Sequence, residues 1–576
     1  MNPFESIKSS PEAAAAFQQA DDDNDKSAKQ STANALIDLA VRHCDLFHDE
    51  RKDGYAVTTH NKIRRTLKLR GRDFRRWLAG TYYGETGRAA NNEAIATALS
   101  VLEAKATFDG TMLELSNRFA VRAGIIYIDI ADESWRVIKV TAHGWELMDK
   151  PPVLFRRYSH QKALPIPVAG GKLTTLHDHL AIKSDGDKLL VEAWLVASVF
   201  PDIPRPAITF HGPQGASKTT TARCIKSISD PSLTESVDLG KSPADLAQVL
   251  DHHGVPCFDN LSSIPSWAAD LLCRAVTGGA FSKRELYSDD SDIILSFKRP
   301  LIITGINIPT HAPDLLDRLL LIELERITTD KRMDEATFWV RFNSEKPKLF
   351  GALLDAIAGT LKHLPNIILD RMPRMADFAR IACAYAEYTG TGTEKMLDII
   401  MQHTARQTQE VLDADPVAIA IRDFIQKRMK WTGTPSELLK LLNESAPVRR
   451  PDGWPKQANN LTRKINVLHA TLNEVGISIL QEKIGACRLL TLESKAESSS
   501  SSSSSSPTNS DADFSRGDKS RSSSGVSSQW DGNGSTYKSS SHVSSQPKPN
   551  VGDGFNDMDG KDDKFDVLSA VAEGVL

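Results

Sequence analysis

Cysteine is sparse and scattered in this chain. The six residues, at 44, 224, 257, 273, 383 and 487, form no CxxC pair and no other close ligand spacing. That argues against a zinc site and a disulfide framework, and it fits a reducing cytosol. No uninterrupted apolar run is long enough to span a bilayer. The polar, acidic stretch at 21–25 does not read as a signal peptide. A strong net charge is missing too. The formal charge is −4, so any nucleic-acid surface must be local. What the chain does have is 576 residues at 40% hydrophobic content, enough for about three or four domains with real cores.

The most informative stretch is 207–220, Ala-Ile-Thr-Phe-His-Gly-Pro-Gln-Gly-Ala-Ser-Lys-Thr-Thr. It predicts a buried strand (207–210), a phosphate-binding loop and then a helix. Gly212 and Gly215 let the loop turn its N–H groups inward around Pro213, Gln214 and Ala216. Lys218 reaches the β- and γ-phosphates, and the Thr219 hydroxyl holds Mg²⁺, with Thr220 following. The positive end of the helix points at the same anion. Ser217 stands where a second glycine is usual. The implied ligand is a nucleoside triphosphate, ATP with Mg²⁺.

Two further strands support that reading. Val-Pro-Cys-Phe-Asp-Asn at 255–260 places Asp259 at a strand end, where a Walker-B carboxylate holds Mg²⁺ through water. Its neighbour is Asn260, a poor general base, which puts the rate of hydrolysis in question. Residues 300–307 supply a third strand ending in a polar tip that belongs between the other two. Spacing leaves open whether Thr304 or Asn307 is the sensor. The alternation of strands and helices predicts an α/β fold with a parallel-sheet, AAA+-like core.

The run at 274–290, with Thr277-Gly-Gly and Leu286-Tyr, the strand after it and the box Asp314-Leu-Leu-Asp-Arg318 resemble the poxvirus-type group of superfamily III helicases. They resemble still more the ATP-binding, primase-helicase-like proteins of bacterial phages and mobile elements. The resemblance covers roughly residues 150–490. It implies a ring, usually a hexamer, with ATP at subunit interfaces. Arg318 would then be the arginine finger of the neighbouring site, and Lys283 and Arg284 would lie on a hairpin that contacts DNA in the channel.

Around this core (166–330) the expected organisation is a disordered 1–33 and an α+β domain at 34–165. After the core come a helical lid or packing segment (331–414), a winged-helix domain (415–492) and a Ser-rich linker with an acidic tail (493–576), whose end could dock a replication partner. In the first domain, helices are expected at 36–46 and 91–106 and a hairpin from 125–130 and 135–141. The stretch 62–76 carries eight Lys/Arg against one Asp, among them Arg64, Arg65, Arg75 and Arg76. It reads as a stripe for single-stranded or forked DNA, or as a solvated helical face. Asp129 and Asp132 read as ordinary strand-end carboxylates rather than a primase metal pair. In the winged helix, a capping box at Thr434–Glu437 starts the second helix. A third helix at 459–475 would read DNA with Lys456, Arg463 and Lys464. The reading that results is an ATP-dependent replicative DNA helicase. The alternatives are an ATP-binding switch or helicase loader with weak hydrolysis, and a non-enzymatic origin-binding initiator.

Overall fold

The computed structural model describes residues 31–284, 292–308, 310, 312–328, 330, 332–445, 450, 453–484 and 487–494. The segments expected to be disordered fall outside these residues except at their inner edges. There Ser31 caps a helix, and Glu493 and Ser494 end a strand.

The first segment is built in two parts. Helix Thr32–His43 ends sooner than its apolar pattern suggests, because Cys44–His48 is already a strand. That strand pairs antiparallel with Gly54–His60, which pairs in turn with Ile63–Lys68, and Thr111–Met112 joins the first strand in parallel. Helices Arg72–Thr86 and Asn92–Phe108 cover this sheet, burying Phe74, Leu78, Ile95 and Leu102 beside Leu36 and Leu39. The second part is an antiparallel meander of Phe119–Arg122, Ile125–Asp129, Val137–Thr141 and Gly144–Met148. The expected hairpin is its centre. Its period-two pattern sends Ile126, Ile128, Ile138 and Val140 into the core of the following segment, while Tyr127 and Val137 face the other way. The meander therefore packs with that core, while the first part of the segment has a core of its own.

At the centre is a sheet of four parallel strands in the order Cys257–Phe258, Ile302–Gly305, Ala207–His211, Leu319–Glu323. It is buried on both faces, so its strands read as apolar runs. Ile208, Phe210, Ile302, Leu320 and Ile322 pack on one side, and Ala207, Phe258, Ile303, Leu319 and Leu321 on the other. The first side is covered by helix Asp185–Ser198 and by Glu335–His363, Ala376–Thr389 and Thr393–Ala414. The last three of these helices form a packing layer on the sheet. The backbone of the approach to the core is stitched to it as well. Val168 donates its N–H to the carbonyl of Pro347, and the Trp145 indole donates to Asp355 across 210 residues of sequence.

The last described segment has its own core of Ile421, Ile425, Leu438, Leu442, Leu461, Ile465, Leu490 and Leu492. Helices Pro416–Arg428, Pro435–Ser445 and Ala458–Glu474 pack on a sheet ordered Lys430–Gly433, Cys487–Ser494, Ile477–Ile484. The capping box forms as the pattern requires. Glu437 N–H donates to Thr434 Oγ1 at 3.3 Å, and Thr434 N–H donates to Glu437 Oε2 at 2.8 Å. Among the described residues no helix is long and apolar enough to cross a membrane.

One buried ion cluster joins the meander to the parallel sheet. Arg118, with no exposed side-chain surface, donates to Asp230 Oδ1 at 2.9 Å and to the carbonyls of Asp129, Lys162 and Pro231. Asp230 also accepts from Lys226 Nζ at 3.1 Å and from the Val255 N–H at 2.9 Å. Burial alone would raise the Asp230 carboxyl, but Lys226 and Arg118 hold it well below the ordinary carboxylate range. A carboxyl depressed in the folded state lends stability that is complete above its unfolded pKa of about 4 and lost as pH falls toward its folded value. Asp230→Asn is therefore expected to cost about 3–5 kcal/mol at neutral pH, leaving two buried cations short of a partner. Its deficit should shrink below pH 4 in denaturant titrations. A variant as stable as the parent at pH 7 would remove the cluster from its structural role.

Candidate functional site

At the C-terminal edge of the parallel sheet three neighbouring elements bring their polar residues together. Strand Ala207–His211 runs into residues 212–217 and then into helix Lys218–Ser229. Gly212, at φ 145, has to be glycine, since a Cβ there would stand 2.4 Å from the Leu324 carbonyl oxygen. Gly215 has φ 82, and Ser217 adopts φ 55, ψ 33. The serine at the usual glycine position thus takes the left-handed conformation glycine would take, at a cost of about 1–2 kcal/mol. Ala216 is buried, Pro213 and Gln214 are exposed, and Thr220 is half-buried. The Lys218 ammonium curls back to donate to the carbonyls of Gly212 and Pro213, at 2.8 and 2.9 Å. The helix starts at Lys218, so its unpaired N–H groups and the positive end of its dipole stand at the loop.

Beside the loop, Thr219 Oγ1 lies 3.1 and 3.0 Å from the two carboxylate oxygens of Asp259. Thr304, on the strand between the other two, donates its hydroxyl to Asp259 Oδ1 at 2.5 Å and accepts the N–H of Asn260 at 2.7 Å. Thr304 is the strand-end group that meets Asp259, and Asn307 lies exposed beyond Gly305. Asn260 is exposed and left-handed at φ 57. A hydroxyl and a carboxylate side by side are hard oxygen donors of the kind Mg²⁺ takes. Among the described residues no cluster of three or more His, Cys, Asp or Glu could hold a metal unaided. A cation at Thr219 and Asp259 would therefore need further oxygens from its ligand.

The remaining sequence candidates are dispersed. Arg318 follows the short helix Pro313–Leu316 and folds onto it, donating to the Asp314 carbonyl, while Asp317 pairs with Arg374. The expected hairpin exists. Gly279–Arg284 pairs with Asp292–Phe297, setting Lys283 opposite Ile293 and Arg284 opposite Asp292, and its tip lies outside the described residues. The basic stretch is neither one stripe nor a helical face. Arg64 and Arg65 sit half-buried on strand Ile63–Lys68, where burial lowers the Arg64 pKa, and Arg75 and Arg76 are exposed on the next helix. Lys456 and Arg463 are exposed. Lys464 instead holds Asp415 at 2.5 Å, and Asp415 caps helix Pro416–Arg428 through the N–H groups of Val417 and Ala418. Asp129 is paired with Arg157 and Asp132 with Arg136, as ordinary structural carboxylates are. Sequence reading missed Arg326 and Arg332, which the chain brings to Gly215 after the last core strand. The charged run that follows that strand was the available signal.

Comparison with known families finds two matches. Residues 174–400 match the family model described as actinomycete integrative conjugative element replication protein, and residues 417–507 match that of the AICE RepA C-terminal domain. Both segments thus fall in the replication-protein family of these elements. Comparison with curated proteins finds no match. Among solved structures, an apo form of the NrS-1 C-terminal region is similar at 12% identity and TM-score 0.36, over 80% of this chain and 98% of that one. The JCV helicase is similar at 13% identity and TM-score 0.23, over 38% of this chain and 59% of that one. Likeness at these scores carries no argument.

Ser217→Gly is expected to relieve the left-handed serine and raise stability by about 1 kcal/mol, read as a higher Tm. Ser217→Val should lower it, because a branched side chain tolerates that conformation poorly. A lower Tm for Ser217→Gly would contradict this account of the loop.

Proposed function

We propose that this mobile-element replication protein is an ATP-driven DNA motor, a ring-forming, hexameric replicative helicase with an AAA+-like P-loop core similar to the poxvirus-type group of superfamily III. The observation that carries the reading is the meeting of Thr219, Asp259 and Thr304 at adjacent parallel strand ends, beside a loop held open by Gly212 and Gly215. In this reading residues 212–219 cradle the triphosphate with backbone N–H groups. Lys218 leaves its two loop carbonyls for phosphate oxygens, and Thr219 and Asp259 hold Mg²⁺. The ion supplies charge neutralisation at the phosphates. Thr304 keeps the Asp259 carboxylate oriented and is in place to sense the bound state. Arg318 turns outward from Asp314 to complete the site of a neighbouring subunit, as an arginine finger does. The hairpin bearing Lys283 and Arg284 moves along DNA. The C-terminal segment, read as a winged helix, contacts DNA through Lys456 and Arg463, since Lys464 already has a structural partner.

One observation favours a second reading, an ATP-bound switch or helicase loader. The residue after Asp259 is Asn260, whose backbone N–H is fixed by Thr304 and whose side chain is a poor base.

The test is ATP hydrolysis by the full chain with and without single-stranded DNA. DNA should stimulate turnover, and Lys218→Ala and Arg318→Ala should each lower it by about 10²-fold or more. Nucleotide binding without turnover in the parent protein would sink the motor and leave the switch.

A further inference from the structure

After strand Leu319–Glu323 the chain does not leave the site but crosses it. Leu324 N–H donates to the His211 carbonyl at 2.8 Å, and Ile327 N–H donates to the Gly215 carbonyl at 3.3 Å. These two bonds lay the segment along the outer edge of the loop. A Cβ placed on Gly215 would stand 3.7 Å from Arg332 Nη2 and 3.9 Å from Arg326 Nε. Two guanidinium groups from the same chain therefore converge on one loop glycine, and glycine there keeps the space between them and the loop clear.

Their neighbours are paired. Glu325 holds Lys183 at 3.2 Å, Arg223 holds Glu235 and Glu335, and Lys218 is taken up by loop carbonyls. Arg326 and Arg332 are exposed and have no ion pair or hydrogen bond with any described residue. Two like charges held near one point repel each other unless an anion lies between them. A guanidinium offers that anion a planar fork of donors suited to phosphate oxygens.

We propose that Arg326 and Arg332 form a clamp, supplied in cis, on the polyphosphate of the nucleotide bound at residues 212–219. The clamp rests on the nucleotide-binding reading above. It adds to the loop a pair of cations belonging to the same subunit, independent of Arg318. Because its contacts are to phosphate, it favours nucleotides in proportion to the phosphates they carry. Among the described residues neither side chain has an ion-pair partner to give up when the ligand arrives.

The test is equilibrium binding of fluorescent ATP and AMP analogues, with Mg²⁺, to the full chain and to Arg326→Ala, Arg332→Ala, the double variant, both Arg→Lys variants and Lys218→Ala. Each alanine variant should weaken ATP binding about tenfold, as loss of a charge-assisted contact does. AMP binding should change by no more than about twofold, since the clamp engages the polyphosphate. The lysine variants should recover part of the loss, because charge returns without the fork. Unchanged ATP affinity in the double variant, while Lys218→Ala loses it, would overturn the clamp and spare the nucleotide reading. An equal loss for ATP and AMP would also overturn it, as the mark of a general field. A parent protein that binds neither nucleotide would overturn the nucleotide reading, and the clamp with it.

Discussion

The Asp230 carboxylate is the contact on which the geometry of the site depends. It pins the far end of helix Lys218–Ser229 by accepting from Lys226 Nζ, and it fixes the Val255 N–H four residues before Asp259. Through Arg118 it anchors both to the antiparallel meander. The near ends of these same two elements carry Thr219 and Asp259. A helix of that length is about 18 Å long, so a small displacement at Asp230 would be carried to the loop. With two cations and a backbone N–H on one carboxylate, the Asp230 oxygens are themselves fully partnered, the condition under which a buried ionic group holds its place.

The sheet adds a second constraint. Its strands alternate between two cores, so a one-residue slip would turn Ile208 and Phe210 toward the packing of Ala207. That lock on register lets Thr304 meet Asp259 across two strands. It also explains why a strand assigned only at Cys257–Phe258 suffices to place a carboxylate at the sheet edge.

Much of the centre was legible in the sequence because its signals are local. Glycines with positive φ, a Lys-Thr pair opening a helix, apolar runs ending in polar residues and the Thr434–Glu437 box all act within a few residues. What escaped reading depends on the tertiary fold. The meander at 119–148 has the pattern of any half-buried sheet, and nothing in that pattern says which core it joins. Arg64 and Arg76 lie twelve positions apart in one charged run, but a turn sends one onto a strand and the other onto a helix. Lys464 looks like any helix-surface lysine until Asp415 is found beside it. That Thr304 and not Asn307 meets Asp259 depends on the neighbouring strand.

The bonds from Trp145 to Asp355 and from Val168 to the Pro347 carbonyl also bear on how the chain acquires its structure. The meander is synthesised early, yet its apolar face waits for residues more than 200 positions later. Until then Ile126, Ile128, Ile138 and Val140 have only part of their cover. Closing so long a loop brings its reward late in folding. A nascent chain halted before the helical layer would expose an unfinished β-surface, the kind of intermediate that recruits chaperones or aggregates. A cut near residue 165 would therefore divide one core rather than separate two.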